Sequence, residues 1–427
     1  MQTLPLNTEI RYLRDLAAAS AIACRVRAGA TVRIGASEMR NDLGFDAYLP
    51  SGHAWQGYRA LWLRDFVMSV PALNLPGAEL LAAARLFAAS QKPEDWRWYN
   101  GHVPAWTPGE HINLDGGVCF YPGSYFTDER QGGCMGPRPP MDSAFFFVEL
   151  VYQAFRAGGA EVLRDEVAGV SLFERAARAF GSVNLHPTTG LAWAPASARA
   201  NDFGFCDIVI KIGSLLFGSC LAYQAAIRLQ EMAGAGGGDP TPFAGAAGRI
   251  REHLVPTFGT DSGFLNAATH VCRQRDVWGT AFAVYTGVLE GEAGAAACRA
   301  LRDAYRAGTA VRDGAVRHIL VGDDWADDTA WEYALFAKDQ YQNGGYWLTP
   351  SGWLLYAIAR VDPAAARALF ADLMTHLRAT DFRAGGDRRG PYEWHDPDTG
   401  RHGHAVNLTS ICCPLQGVER LLAEGLA

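Results

Sequence analysis

Six short segments in this chain have the same local grammar, a polar or Gly-rich loop that feeds directly into an apolar helical run. They are Leu63-Arg64-Asp65, Met141-Asp142-Ser143, Cys206-Asp207-Ile208, Arg275-Asp276-Val277, Pro350-Ser351-Gly352 and Asn407-Leu408-Thr409. Counted from Asp65, the successive intervals are 77, 65, 69, 75 and about 57 residues. Each interval has room for two helices and two loops. A turn recurs ahead of several of these helices, at Thr189-Gly190-Leu191, Asp261-Ser262-Gly263-Phe264, Asn343-Gly344-Gly345-Tyr346 and Thr399-Gly400. Six helical hairpins in series predict an all-α fold, twelve helices in a closed ring, the (α/α)6 toroid. In such a ring the inner helices begin at one mouth, so all six anchors surround one cleft.

The hydrophobic pattern gives the pieces. Helices are expected over Tyr12–Arg27, Pro71–Ser90, Asp142–Arg156, Ile208–Met232, Val277–Leu289, Trp353–Ala359 and Leu415–Leu426. Phe145, Val148, Tyr152 and Phe155 fall at helical spacing after an Asp142-Ser143 start signal. Strand signals are short, the best being Ala30–Ile34 and Val118–Phe120. The Gly/Pro stretch from Ala233 to Ala247 reads as a surface loop, because helical patterning resumes on both sides of it. One domain over residues 1–427 is therefore expected, with an irregular arm at about 30–50, short β elements being confined to loops.

Charge and composition exclude several partners. With 38 Lys+Arg against 45 Asp+Glu the net charge is −7, and no basic stripe is present, so nucleic acid is not expected. No apolar run is long enough to span a membrane. Charged residues interrupt Met1 to Ala30, so no signal peptide is expected. Nine cysteines without a C-x-x-C pair suggest reduced thiols and a cytoplasmic protein. Many of the 12 Trp and 15 Tyr stand beside Gly, Pro and Asp in loops, where their faces suit a sugar- or base-binding cleft or simply fill a large core.

Four segments carry candidate chemistry. In Tyr58 to Asp65, Arg64 and Asp65 can hold sugar hydroxyls as donor and acceptor beside Tyr58 and Trp62; alternatively Asp65 only favours a helix start and Arg64 faces solvent. Asp207 lies among apolar neighbours, where desolvation raises a carboxyl pKa as a general acid requires; it can also be an N-cap, and Asp202 is its local rival. Glu393 sits between Tyr392 and Trp394 in a Pro/Gly-rich loop, with Asp396 to Gly400 as a tight turn behind it. A carboxylate there can activate water or can be a surface glutamate. Tyr341 to Trp347 combines two glycines with aromatic faces that can stack on a sugar ring or pack in the core.

Phosphate-loop, nucleophile-elbow and H-E-x-x-H signatures are absent from the sequence. His395, His402 and His404 match no metal-ligand spacing, and Asp323, Asp324, Asp327 and Asp328 read as a solvated acidic loop rather than a calcium site, so no metal is expected.

Together these segments resemble the six-hairpin glycosidases, the clan of glycoside hydrolase family 63 with the trehalase and glucoamylase-like families. Tyr58 to Asp65 is similar to the Trp-x-Arg-Asp segment of their first hairpin. Phe205-Cys206-Asp207 resembles the segment that carries the general acid. Asn343 to Trp347 looks like their late Gly-Trp segment, and Glu393 through Gly403 resembles the segment of the catalytic base. The resemblance implies inverting hydrolysis with Asp207 as acid and Glu393 as base, the carboxyls roughly 6.5–9.5 Å apart. It implies that Tyr58, Trp62, Arg64, Asp65, Asp142, Tyr341, Trp347 and His404 bind a small carbohydrate, that action is at chain ends, and that no cofactor is required. Two activities of the same ring are alternatives: an unsaturated uronyl hydrolase, in which Asp142 matters more, and a sugar 2-epimerase, in which His318 and His404 pair. A non-catalytic carbohydrate-binding protein is the third. Oligomeric state, sugar and linkage are not legible.

Overall fold

The computed structural model describes residues 6–55, 57–98, 101–120, 136–202, 209–328 and 337–426. Among these, twelve helices carry the architecture. They are α1 (Leu6–Cys24), α2 (Leu63–Leu73), α3 (Gly77–Ser90), α4 (Asp142–Gly158), α5 (Leu172–Gly181) and α6 (Leu216–Gly236), then α7 (Thr241–Phe258), α8 (Val277–Thr286), α9 (Gly291–Arg306), α10 (Ser351–Ala359), α11 (Pro363–Thr380) and α12 (Thr409–Ala423). The even-numbered helices form the inner ring. Each packs on the next, and α12 packs back on α2. The odd-numbered helices lie outside, α1 against α12 and α2, α3 against α4, α5 against α4 and α6, α7 against α6, α9 against α8 and α10, and α11 against α10. The fold is the (α/α)6 toroid.

Sequence explains which helix goes where. A helix that is apolar all round must be covered on all sides, whereas an outer helix needs only one apolar stripe. Every residue of α10, SGWLLYAIA, is buried. In α9 the buried positions are Gly294, Ala297, Cys298, Leu301 and Ala304, a single stripe at helical spacing. Helix α4, whose pattern reads as amphipathic, is in fact buried on nearly every side, as an inner position demands.

Two expected helices change, and the surface loop expected over Ala233–Ala247 is reduced to residues 237–240 between two helices. The run Pro71–Ser90 is two helices, because Asn74 adopts a left-handed conformation (φ 49°) and Pro76 disfavours helix at the residue before it. The helix expected from Ile208 begins at Leu216 instead. Ahead of it, Gly213-Ser214 pairs with Trp193-Ala194, and Gly213 (φ 103°) packs so closely on Thr269 that no side chain fits. Asp207 is therefore not the cap of α6.

The recurrent turns are present. Gly190, Gly263, Gly344 and Gly400 all have positive φ; bridges at Leu185–Ala192, Gly259–Leu265 and His395–His402 enclose the first, second and fourth, and a Gln340–Asn343 bridge immediately precedes Gly344. The arm near residues 30–50 is a small β unit. Thr31–Ile34 pairs with Ser37–Arg40, Arg25-Val26 pairs with Ala47-Tyr48, and Val26, Ile34, Ala47, Leu49 and Leu114 form its own apolar cluster. No helix among the described residues is long and apolar enough to cross a membrane.

Helices α10 and α12 cross at two glycines, where a Cβ on Gly417 would collide with the Gly352 backbone. Gly417→Ala is expected to cost about 1–3 kcal/mol through overpacking. Gly248→Ala, on an open face of α7, is expected to add about 0.5–1 kcal/mol through helix propensity. Urea unfolding of both variants reads the difference, and equal stabilities would contradict this crossing.

Candidate functional site

Glu393 is placed by a β-hairpin. Tyr392 bridges Ala405, His395 bridges His402, Glu393 N–H donates to His404 O (3.0 Å) and Gly403 N–H donates to Trp394 O (2.9 Å). The turn expected at Asp396–Gly400 closes it, with Gly400 N–H donating to Asp396 O (2.9 Å) and Thr399 Oγ1 donating to Asp396 Oδ2 (2.6 Å). Glu393 is held at 4% exposure, so it is not a surface glutamate. The Tyr58 hydroxyl donates to its Oε1 at 2.6 Å. Burial, then the negative charge of Glu393, push the Tyr58 phenol well above its ordinary range, so it stays a donor. The other oxygen, Oε2, faces Gly403, where an added Cβ would stand 2.8 Å away.

Aromatic rings gather at this carboxylate. Tyr58 lies 4.4 Å from the His404 ring and 5.7 Å edge-on from Trp62. Ala60–Trp62 pairs with His111–Asn113, which sets Trp62 opposite His111, and the two rings stack at 4.2 Å. Burial lowers the His111 pKa to about 4, so this imidazole is neutral. No local sequence signal sets His111 against Trp62, because the pairing joins strands about fifty residues apart.

The Arg64-Asp65 pair divides its work. Arg64 does not face solvent: its Nε donates to Asp142 Oδ2 at 2.6 Å, with both side chains buried. Asp142 thus links α4 to α2, and its Oδ1 has no partner among the described residues. Asp65 is buried in the first turn of α2 and its charge also raises the Tyr58 pKa, which places the two carboxylates Asp65 and Glu393 in the same phenol's surroundings.

Beside this cluster, Tyr341 packs against Trp347 (5.2 Å) and Trp394 (5.8 Å), and its carbonyl accepts from Trp347 Nε1 at 3.2 Å. Trp347 is only 1% exposed, wedged between Tyr341 and Trp278. In this structure Trp347 packs at a tilt against Tyr341 and edge-on to Trp278. His318 is also buried, parallel to Trp278 at 4.5 Å and 3.3 Å from Asp276 Oδ1, while His404 lies tilted against Tyr58. The two histidines that an epimerase would pair have separate partners.

Asp207 lies outside the described residues. Its rival Asp202 is committed to the fold. One oxygen takes the Lys211 ammonium in a fully buried ion pair and the other accepts from Gly218 N–H (3.1 Å) in the first turn of α6. Burial raises its pKa, with Lys211 pulling the other way. The three histidines close in sequence disperse, His395 onto His376, His402 onto Tyr392 and His404 onto Tyr58, so they form no common ligand set. In the acidic loop, Asp324 Oδ1 accepts from Asn343 and Ala326, Asp328 from Arg273 N–H, and Asp323 pairs with Arg275.

Breaking the Asp202–Lys211 pair from one side leaves a buried charge. Lys211→Met is expected to lower unfolding free energy by about 3–5 kcal/mol, and adding Asp202→Asn to recover part of it. A double-mutant cycle by urea unfolding measures this; additive losses would contradict a paired, desolvated bridge.

No protein-family model and no curated protein matches the sequence. Solved structures do match. A rhamnosidase from Klebsiella oxytoca with rhamnose bound superposes with a TM-score of 0.55 at 11% identity, over 100% of this chain and 66% of that one. The chain therefore spans about two thirds of the rhamnosidase. A wild-type glycosidase gives 0.57 at 15% identity, covering 99% of this chain and 100% of the other. A GH63 mannosylglycerate hydrolase from Thermus thermophilus in complex with glucose gives 0.52 at 15% identity, covering 94% and 99%. The toroid of this chain is the fold of the six-hairpin glycosidases.

Proposed function

We propose that the chain is an inverting, exo-acting glycoside hydrolase acting on a small glycoside or an oligosaccharide end. The observation that carries this reading is the buried Glu393 carboxylate, held on one oxygen by Tyr58 among the rings of Tyr58, Trp62 and His404. The Tyr58 hydroxyl orients the carboxylate, and a buried, oriented carboxylate can accept a proton from water. Glu393 takes the proton of that water as its oxygen attacks the anomeric carbon. Asp207, on the opposite face, gives its proton to the leaving oxygen as the carbon–oxygen bond breaks. The two carboxyls stand roughly 6.5–9.5 Å apart to admit the water.

The remaining residues bind sugar. Trp62 and His404 offer ring faces, Asp65, Tyr341 and the unpartnered Asp142 Oδ1 take hydroxyls, and Arg64 holds Asp142 in place. Trp347 acts through Tyr341. No cofactor takes part, and the chain works as one catalytic unit. The rhamnose and glucose seen in two of the similar structures support a hexose-type substrate. The seven buried free thiols among the described residues fit a reducing compartment, the cytoplasm.

Proton NMR with a panel of α- and β-linked glucosides, mannosides, rhamnosides and unsaturated uronides tests the reading. The first sugar released is expected in the inverted anomeric form, Glu393→Gln is expected to be inactive, and Tyr58→Phe to lower kcat about 100-fold by loosening the base. Release with retained configuration, or full activity in Glu393→Gln, would overturn it.

A further inference from the structure

A second cluster of titratable groups stands apart from the sugar-binding residues. It joins three segments of the last third of the chain. Asp313 occupies the turn between Val311-Arg312 and Ala315–Arg317, at φ 53° and exposed to solvent. His376 belongs to α11, and His395 to the Glu393 hairpin. The turn rests directly on α11, because Gly314 has no Cβ to collide with Leu373, three residues before His376. His395 is fixed by exchanging both backbone hydrogen bonds with Tyr346, at 2.8 and 3.0 Å. Each of the three residues offers a ligand atom, and these atoms all lie within 4.8 Å of one another.

The two imidazoles are nearly parallel, with centroids 4.5 Å apart and planes at 19°. Both Nε2 atoms are buried and neither has a hydrogen-bond partner. His395 as a whole is 8% exposed. An orphaned buried ring nitrogen is costly, and two side by side are unusual in a folded protein. Neighbouring charges do not supply partners. Arg312 pairs with Asp398 at 2.6 Å, Asp396 is bonded to Thr399 within its own turn, and His402 stacks on Tyr392. Burial also holds His395 down to about pKa 3 and lowers His376, so both are neutral imidazoles, the form that ligates a metal.

We propose that Asp313, His376 and His395 bind one divalent transition-metal ion of the zinc class, with water completing a four-coordinate shell. Two imidazole nitrogens and a carboxylate oxygen are a borderline donor set that suits such ions and not calcium or magnesium. Bonds of about 2.0–2.1 Å need ligand atoms roughly 3.3 Å apart, so the three side chains would draw together on binding. The ion would clip the Glu393 hairpin to an outer helix. This assignment stands whether or not the chain hydrolyses glycosides, since it rests on none of the sugar-binding residues.

Full-length protein, stripped with a chelator, is titrated with Co(II) and then Zn(II). One equivalent of Co(II) is expected to bind with visible ligand-field bands and without a near-ultraviolet thiolate band, and Zn(II) to displace it. The missing thiolate band separates this site from Glu110, His111 and Cys119, which also lie together. Asp313→Asn and His376→Gln are each expected to weaken binding about tenfold or more, and Cys119→Ser to leave it unchanged. Asparagine tolerates the left-handed turn conformation, so Asp313→Asn keeps the fold; unchanged melting in chelator verifies that. Absence of metal uptake, a thiolate band abolished by Cys119→Ser, or wild-type affinity in either ligand variant overturns the proposal.

Discussion

The last inner helix must pack on the first, and everything at the mouth of the ring depends on that closure. Six inner helices buried on nearly all sides cannot be left as an open row, because the two terminal members would each expose an apolar face. The seam is fastened by polar contacts between distant parts of the chain. Gln416 Nε2 donates to Met68 O at 2.6 Å, Leu408 N–H donates to Pro50 O at 2.8 Å, and Ser51 bridges Asn407. Helix α1 covers the joint from outside, with Arg14 on Glu419, and Arg378 on Glu9. The Tyr58–Glu393 hydrogen bond lies at this seam and spans 335 residues. The site is thus a product of ring closure: neither the first hairpin nor the last contains it alone.

The same logic accounts for where polar groups are buried. Arg64 with Asp142 joins neighbouring inner helices α2 and α4, and Asp202 with Lys211 fixes the approach to α6. Buried ion pairs contribute little net stability but strongly disfavour arrangements that separate the partners. They set the angular positions of the loops around the mouth, and the aromatic pairs Trp62–His111 and Tyr341–Trp347 then pack between those loops. Orientation of Glu393 follows from hairpin pairing, one phenol and the absence of a side chain at Gly403.

Much of this was legible in the sequence because it rests on local signals. Five of the six anchors stand at the starts of inner helices, since a polar loop running into an apolar helical run is a short-range pattern. The anchor at Asp207 misled because strand pairing of Gly213-Ser214 delays α6, and that partner lies about twenty residues upstream. Glu393 and Tyr58 could be singled out by residue type and setting, but their hydrogen bond could not, being a consequence of closure. The burial of Trp347 was not legible, because an aromatic beside two glycines can face either way and its neighbour Trp278 comes from another hairpin. For the same reason no spacing rule finds Asp313, His376 and His395, which come from a turn, a helix and a hairpin.

The most direct test of this account is a crystal structure of the Glu393→Gln variant soaked with glucose or rhamnose. The sugar is predicted to lie against Trp62 and His404, with its anomeric carbon between residue 393 and Asp207. A sugar bound away from residue 393, or Asp207 at the opposite end of the ring, would contradict the claim that ring closure builds the catalytic site.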